Sequence, residues 1–188
     1  AVRVGDGLAA GDVVANRGDG AAALVTAKGS TLVLKSGAVV RVGCSEGGYS
    51  FALLDGEVFA SVNREAFCVI CDGVTVRVKG TKFWVRHYAA GVEVAVEEGV
   101  VECRNAAGVV EVEKGERVLI RPAEAPREPV QADVERVVGW AKPVVAEVER
   151  IKGRILRGHE RGPAYPLDMP VRKPPRPMSE DWEPEGEN

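Results

Sequence analysis

The sequence predicts an all-β domain, and three observations in its first 121 residues carry that prediction. Valine alternates with polar or small residues at 74–78 and 92–96, which is typical of strands with one buried face. Glycines at 73, 80, 91, 99, 108 and 115 fall seven to eleven residues apart, a spacing that suits turns because glycine adopts positive φ without steric cost. All 11 prolines lie at position 122 or later, so nothing interrupts a hydrogen-bonded sheet before that point. A glycine-punctuated β-roll, solenoid-like domain or sandwich is expected.

Composition then divides the chain into five parts. After residue 121 prolines become frequent, and from 131 the apolar residues follow a helical period, with Pro143 expected to break or kink the helix. The predicted parts are a glycine-rich N-terminal segment (1–20), the β domain (21–121), a proline-rich linker (122–130), an amphipathic helical segment (131–158) and an extended, charged, proline-rich tail (159–188). The apolar stripe of the helical segment is expected to dock on the β domain.

The core of the β domain is expected to be aliphatic. The chain is 45% hydrophobic but only 5% aromatic, so most buried volume must come from Val, Ala and Leu. Phe83 is expected to be the largest buried anchor. The predicted core is Val76, Val78, Phe83, Val94, Val96 and Val112.

Four short motifs follow one another through this domain in a fixed order. They are Leu54-Asp55-Gly56-Glu57-Val58, then Gly80-Thr81-Lys82-Phe83-Trp84-Val85, then Val94-Ala95-Val96-Glu97-Glu98-Gly99-Val100, and last Val112-Glu113-Lys114-Gly115-Glu116-Arg117. In order and spacing they resemble the motif series of the FecR family of bacterial extracytoplasmic domains. The core and turn positions that carry the resemblance are Gly56, Gly80, Thr81, Phe83, Gly99 and Gly115.

The resemblance implies a non-enzymatic all-β domain outside the cytoplasm, either secreted, at the cell surface or in the periplasm. In well-known members of the family, the domain relays the occupancy of an outer-membrane receptor to a cytoplasmic sigma-factor regulator. In those members the relay passes through a membrane helix. This chain has no apolar run of the roughly 18 residues that such a helix needs. The start at Ala1 fits either a removed signal peptide or trimming.

The residues themselves also argue against catalysis, cofactors and nucleic acid. The two histidines, His87 and His159, have no partners in a recognisable catalytic motif, and the carboxylates alternate outward with valines. A net charge of −3 is too small to indicate nucleic-acid binding. A single Cys-x-x-Cys with no histidine at ligand spacing makes a zinc site a poor prediction. No cofactor is expected.

Two functions remain open, and both act through protein–protein contacts. The first, favoured by the sequence, is a self-associating structural subunit of an extracellular assembly or filament. The alternative is a periplasmic sensor or adaptor that binds a receptor or signalling protein. In the first, the tail crosses to a neighbouring copy and buries its lone tryptophan there. The predicted interface residues are Trp182, Arg172, Lys173, Arg176, Glu180 and Asp181.

The four cysteines leave several states open. Cys68 and Cys71 lie three apart in one predicted strand and so project to opposite faces, which makes a bond between them unfavourable. Buried free thiols are one alternative. If the protein is extracytoplasmic, at least one disulfide is expected between Cys103 or Cys44 and the strand that carries Cys68 and Cys71.

Overall fold

The computed structural model describes residues 6–45 and 48–160, and their architecture is a single curled β-sheet with a pair of helices docked on it. The 13 strands form one continuous hydrogen-bonded sheet, which confirms the all-β prediction. The strands are β1 (Val13–Ala15), β2 (Ala22–Val25), β3 (Thr31–Leu34), β4 (Val39–Ser45), β5 (Gly48–Ser61), β6 (Ala66–Cys71), β7 (Val74–Val78), β8 (Lys82–Tyr88), β9 (Gly91–Glu98), β10 (Val100–Asn105), β11 (Gly108–Glu113), β12 (Glu116–Ile120) and β13 (Val130–Gln131).

The sheet has two halves that share one long strand. The first 8 residues of the 14-residue β5, up to Asp55, pair with β4 and β6, whereas residues from Gly56 to Ser61 pair with β3 and β8. We call β1, β4, the start of β5, β6, β7, β10 and β11 the open half. We call β2, β3, the end of β5, β8, β9, β12 and β13 the covered half. Neighbouring strands are antiparallel except β5 and β6, which run parallel.

One apolar core lies between the inner faces of the two halves. It contains all six residues predicted for it, each no more than 8% exposed. Phe83 is fully buried and contacts Phe67 edge-to-face, with ring centroids 6.3 Å apart. Phe59 is the other large, fully buried ring, but it lies on the opposite face of the covered half. Phe83 therefore anchors the core as predicted, and a second core lies outside the sheet.

The two helices form that second core with the outer face of the covered half. They are α1 (Val134–Val138) and α2 (Lys142–Glu160), separated by a short turn. Asp133 caps α1, because its side chain accepts a hydrogen bond from the amide of Arg136 at 3.2 Å. Pro143 stands in the first turn of α2, where its missing N–H removes no intrahelical bond. The proline thus marks the start of a second helix rather than a kink in one.

The remaining sequence-predicted segments are placed as follows. Strand β1 lies in the glycine-rich segment predicted for residues 1–20, and the linker of 122–130 runs into β13. Residues 159 and 160 of the predicted tail belong to α2. The rest of the tail lies outside the described residues, as do its predicted interface residues Trp182, Arg172, Lys173, Arg176, Glu180 and Asp181. Within 6–45 and 48–160, no helix combines the length and the apolar character needed to cross a bilayer.

Truncating Phe83 tests the core. Phe83→Ala removes a fully buried ring and should lower the free energy of unfolding by roughly 3–5 kcal/mol, measured by denaturant titration. Ile70→Ala is the matched control, because Ile70 is 41% exposed on the open half and its truncation should cost about 0.5 kcal/mol or less. Equal losses for the two variants would place Phe83 outside the stabilising core.

Candidate interaction surfaces

The outer face of the covered half carries one apolar residue from each of its central strands. Val33, Phe59, Trp84 and Ala95 stand side by side across β3, β5, β8 and β9 in the strand register. All four are buried, against Val134, Val138 and Ala141 of the helical segment. We call this row the docking stripe. It explains why β3 and the centre of β8 read as continuous apolar runs, since strands buried on both faces lose the alternation of a half-exposed strand.

A row of charged residues borders the docking stripe. Glu57, Arg86 and Glu93 occupy successive positions across β5, β8 and β9, so their charges alternate. At one end Lys35 lies 3.0 Å from Glu57, and at the other Arg117 lies 3.3 Å from Glu93. Opposite charges directly across a sheet stabilise it modestly. The row therefore defines the border between the helix-covered surface and the solvent-exposed surface.

Glu57 ties this charged row to Trp84 directly and to Trp140 through Lys35. One carboxylate oxygen accepts a hydrogen bond from Lys35 Nζ at 3.0 Å, and the other accepts one from Trp84 Nε1 at 3.2 Å. Lys35 Nζ also lies 5.5 Å from the ring centroid of Trp140, in the turn between the helices, which is a cation–π geometry. The glutamate of the first motif thus links the sheet to the helical pair. Its spacing in the sequence gave no signal of that role.

The helices are held at two further points. Lys142, at the start of α2, lies 3.2 Å from Glu97 of β9 and 2.7 Å from Glu135. Further along α2, the side chain of Lys152 lies against Gly29 in the β2–β3 turn, where an added Cβ would come within 2.7 Å of Lys152 Cε. Gly29 has φ +85°, so glycine is required there for both conformation and space. Residues distant in sequence thus hold the start and the middle of α2.

The motif positions meet one another inside the fold. Gly99 has φ +88°, and a Cβ on it would lie 2.6 Å from Cγ2 of Thr81, which is only 3% exposed. The second and third motifs are therefore in contact. Gly80 also has positive φ, 74°, but its position faces open space. Gly115 (φ +85°) donates its amide to Val96 O at 2.9 Å and closes the β11–β12 turn. These contacts show that the motif residues stabilise the fold, because they pack against and hydrogen-bond to one another.

Glu65 forms a buried polar cluster beside an open cavity of about 550 Å³. The residue is 3% exposed, and its Oε1 accepts hydrogen bonds from the hydroxyls of Thr26, at 2.7 Å, and Ser30. The carboxylate fastens the β2–β3 turn to the loop that follows β5. Lys28 and Arg64 also line the cavity. The sequence does not predict this cluster, because a single glutamate in a loop carries no periodic signal.

The cysteines are all free thiols, so the expected disulfide is absent. Cys44 in β4 and Cys103 in β10 are each separated from β6 by an intervening strand. Two strand spacings amount to roughly 9.5 Å, well beyond the Cα separation that a disulfide spans. Burial raises the pKa of Cys71 and of Cys103 to about 12, and it also raises the pKa of Cys68. These thiols stay protonated near neutral pH and are poor nucleophiles.

No described side-chain cluster is suited to a metal ion: residues 6–45 and 48–160 bring together no group of three His, Cys, Asp or Glu for one. His87 of β8 lies within 3.1 Å of Leu54 O through Nδ1, a contact between neighbouring strands. The surfaces that could have a function are therefore the docking stripe with its helices, the Glu65 cavity and the edges of the sheet.

The geometry defines an all-β domain whose single curled sheet carries a docked helical pair. Residues 12–102 match the family model described as FecR protein, the family that the motifs of this chain resemble. A comparison with curated proteins gave no match.

Two solved structures share the fold. Both come from Parabacteroides distasonis ATCC 8503, and each protein is described as a "putative anti-sigma factor". The first is 20% identical with a TM-score of 0.61, and the match covers 69% of this chain and 64% of that one. The second is 18% identical with a TM-score of 0.61, covering 75% and 73%. The matched part of this chain thus spans less than two thirds of the first structure.

The comparisons favour signalling over self-assembly among the two functions left open by the sequence. A FecR domain and a fold shared with those two proteins accord with a FecR-type regulator. Nothing in the comparisons supports the filament subunit.

Contact between two motifs can be tested by a double-mutant cycle. Gly99→Ala should cost about 1–3 kcal/mol more than Gly80→Ala, because both variants strain a positive φ but only the first drives a Cβ into Thr81. In a Thr81→Ser background, which removes the methyl group, that excess should shrink by at least half. Denaturant titration of the variants measures it. An excess unchanged by Thr81→Ser would show that the methyl contact is not its source.

The role of Glu57 is tested by removing its charge alone. Glu57→Gln keeps the shape and an acceptor for Trp84 but loses the pairing with Lys35, so we expect a loss of about 1–2 kcal/mol. The tryptophan fluorescence spectrum should also shift. Glu57 accepts the hydrogen bond of Trp84 Nε1, and it pairs with the Lys35 that lies over the ring of Trp140, so the loss of its charge changes the surroundings of both rings. Glu128→Gln, on the exposed linker, is the control and should change neither. An unaltered stability and spectrum for Glu57→Gln would remove Glu57 as the link to the helices.

Proposed function

We propose that this chain is the extracytoplasmic signal-transducing part of a FecR-type regulator and that it acts through protein–protein contacts. The observation that carries the proposal is the match of residues 12–102 to the FecR family. The shared fold with two proteins described as anti-sigma factors supports it. In such a system a change in the contacts between the domain and one partner protein alters its contacts with a second one.

The helical pair suits such a relay. Contacts along the docking stripe, the Glu57 link to Trp140 and the Lys152–Gly29 contact hold the helices on the sheet. A partner that binds the sheet can thus act on the residues that continue from α2. A contact network that combines an apolar stripe with charged links near the start of α2 is a suitable element for two-state docking.

Binding also fits the chemistry of the described side chains better than catalysis does. The buried thiols are held protonated by their raised pKa values. One oxygen of the buried Glu65 carboxylate, Oε1, accepts hydrogen bonds from two hydroxyls of the β2–β3 turn, while Oε2 has no hydrogen-bond partner among the described residues. Each of these groups has a structural role, and the family resemblance likewise implies a regulator without enzymatic activity.

Deletion of the encoding gene in its host tests the proposal. We expect transcription from promoters that depend on an extracytoplasmic-function sigma factor to change at least several-fold, measured by a reporter fusion and by RNA sequencing. Complementation with the wild-type gene should restore the output. A gene carrying Phe83→Ala should not restore it, because the core is lost.

A transcriptome without any sigma-factor-dependent change would contradict the signalling role. The complemented strain also tests location, because fractionation should recover the protein outside the cytoplasm. Recovery only from the cytoplasmic fraction would contradict that part of the proposal. A sedimentation measurement that gave large polymers would return the choice to the structural subunit.

A further inference from the structure

The four edges of the curled sheet differ in length. Strand β1 has 3 residues, β2 has 4 and β13 has 2. Strand β11 has 6, pairs only with β10 among the described strands, and has no register shift along that pairing. Natural sheets usually blunt their edges with short strands, proline or bulges, because a regular edge is a template for another strand. The edge of β11 (Gly108–Glu113) lacks these three protections.

The register identifies which backbone groups of β11 face outward. Asn105 of β10 and Gly108 of β11 flank a two-residue hairpin loop, so they form a hydrogen-bonded pair with each other. Alternation along the strand then turns the N–H and C=O groups of Val109, Glu111 and Glu113 away from β10. An independent contact agrees, because the amide of Glu113 donates to Glu116 Oε2 at 2.9 Å. Val109 and Glu111 therefore offer donors and acceptors to an added strand.

The side chains along this edge indicate the chemistry of the added strand. Glu111 lies directly opposite Glu102 of β10, and like charges in that arrangement destabilise a sheet. Glu102 has a cationic neighbour, Arg104 Nε at 3.6 Å, whereas Glu111 makes no ion pair with any residue in 6–45 or 48–160. Glu113 is a second exposed carboxylate on the same face. A cation from an added strand would fall opposite Glu111 and relieve the repulsion.

Apolar contacts are available on both sides of the same edge. Val109 is 47% exposed on the outer face, and Val110 is half-buried at the margin of the main core. An antiparallel strand that placed basic residues opposite Glu113 and Glu111 would place an apolar one opposite Val109. Its intervening residues would cover Val110 from the inner side.

Pairing between two copies of this chain is disfavoured at this edge. A symmetric antiparallel pairing centred on Glu111 would set Glu111 against its own copy and Val109 against Glu113. Like charges would then meet at the centre of the pairing. The charge pattern therefore disfavours this symmetric pairing at β11 and favours a basic partner.

We propose that the edge of β11 is a docking site for an extended segment of a partner protein in which basic and apolar residues alternate, bound as an added antiparallel strand. The inference rests on the proposed function only in taking the partner to be a protein. Main-chain hydrogen bonds to Val109 and Glu111 supply the binding, and Glu111 and Glu113 select for basic side chains.

A peptide binding experiment with the whole chain tests the proposal. The probe is an acetylated, amidated peptide of sequence Lys-Val-Lys-Val-Val-Thr with a fluorophore, measured by fluorescence anisotropy. Two control peptides keep its length: one replaces both lysines with glutamate, and one is N-methylated at alternate residues on its hydrogen-bonding edge. We expect the acidic and the methylated peptides to bind at least tenfold more weakly than the probe.

Two protein variants locate the site. Glu111→Lys should weaken binding of the probe at least tenfold and improve binding of the acidic peptide, while the fold is kept because a lysine there faces Glu102. Glu147→Lys, on the exposed face of α2, makes the same change in net charge and should alter binding less than twofold. In nuclear magnetic resonance spectra, exchange of the Val109 and Glu111 amide protons should slow when the probe binds.

Several results would overturn the proposal. They are an absence of binding, equal binding of the methylated peptide, equal weakening by the two variants, or slowed amide exchange confined to other strands. None of these outcomes depends on the signalling role. An unchanged transcriptome in the deletion strain would reject that role and leave strand addition at β11 intact, whereas failure of the peptide would do the reverse.

Discussion

The fold depends on one bend in its longest strand. At Gly56, β5 leaves the open half and enters the covered half, so this single strand holds the two halves together. Gly56 has φ +86°, and an added Cβ would lie 2.7 Å from Ala38 Cα, so both the conformation and the close approach exclude a side chain. The next residue, Glu57, then reaches the docking stripe. The geometry of the bend therefore sets both the main core and the placement of the helices.

Sequence patterns identified the main core because its physical cause is periodic. A strand buried on one face must alternate, and the valines at 74–78 and 92–96 do so; those on the core side are buried. The same reasoning failed for the outward positions of β9. Ala95 is fully buried and Glu93 is half-buried, because helices cover part of that face. A local pattern cannot show which outer face a distant helix covers, although the apolar run in β3 was a usable signal.

The interaction surfaces were less accessible to sequence reasoning, for a related reason. The family motifs located Gly99 and Thr81 but not their contact, which depends on how β8 and β9 meet. The disulfide prediction failed because it required the order of strands, and an intervening strand separates each candidate pair. The edge of β11 is likewise a property of topology. Its sequence alternates as any half-buried strand does, and only the strand order shows that one side has no neighbour.

The two halves of the sheet solve the problem of exposed surface in different ways. The covered half hides an apolar row beneath helices and borders it with alternating charges, so Glu57, Arg86 and Glu93 compensate one another. The open half leaves its outer face to solvent and ends in a strand where Glu111 stands opposite Glu102; Arg104 pairs with Glu102, whereas Glu111 has no ion pair among the described residues. A sheet that needed only stability would place a lysine at position 111, since that exchange would turn a repulsive cross-strand pair into an attractive one. That repulsion disfavours the symmetric pairing of two β11 edges centred on Glu111, and it leaves there the charge that a basic strand would neutralise.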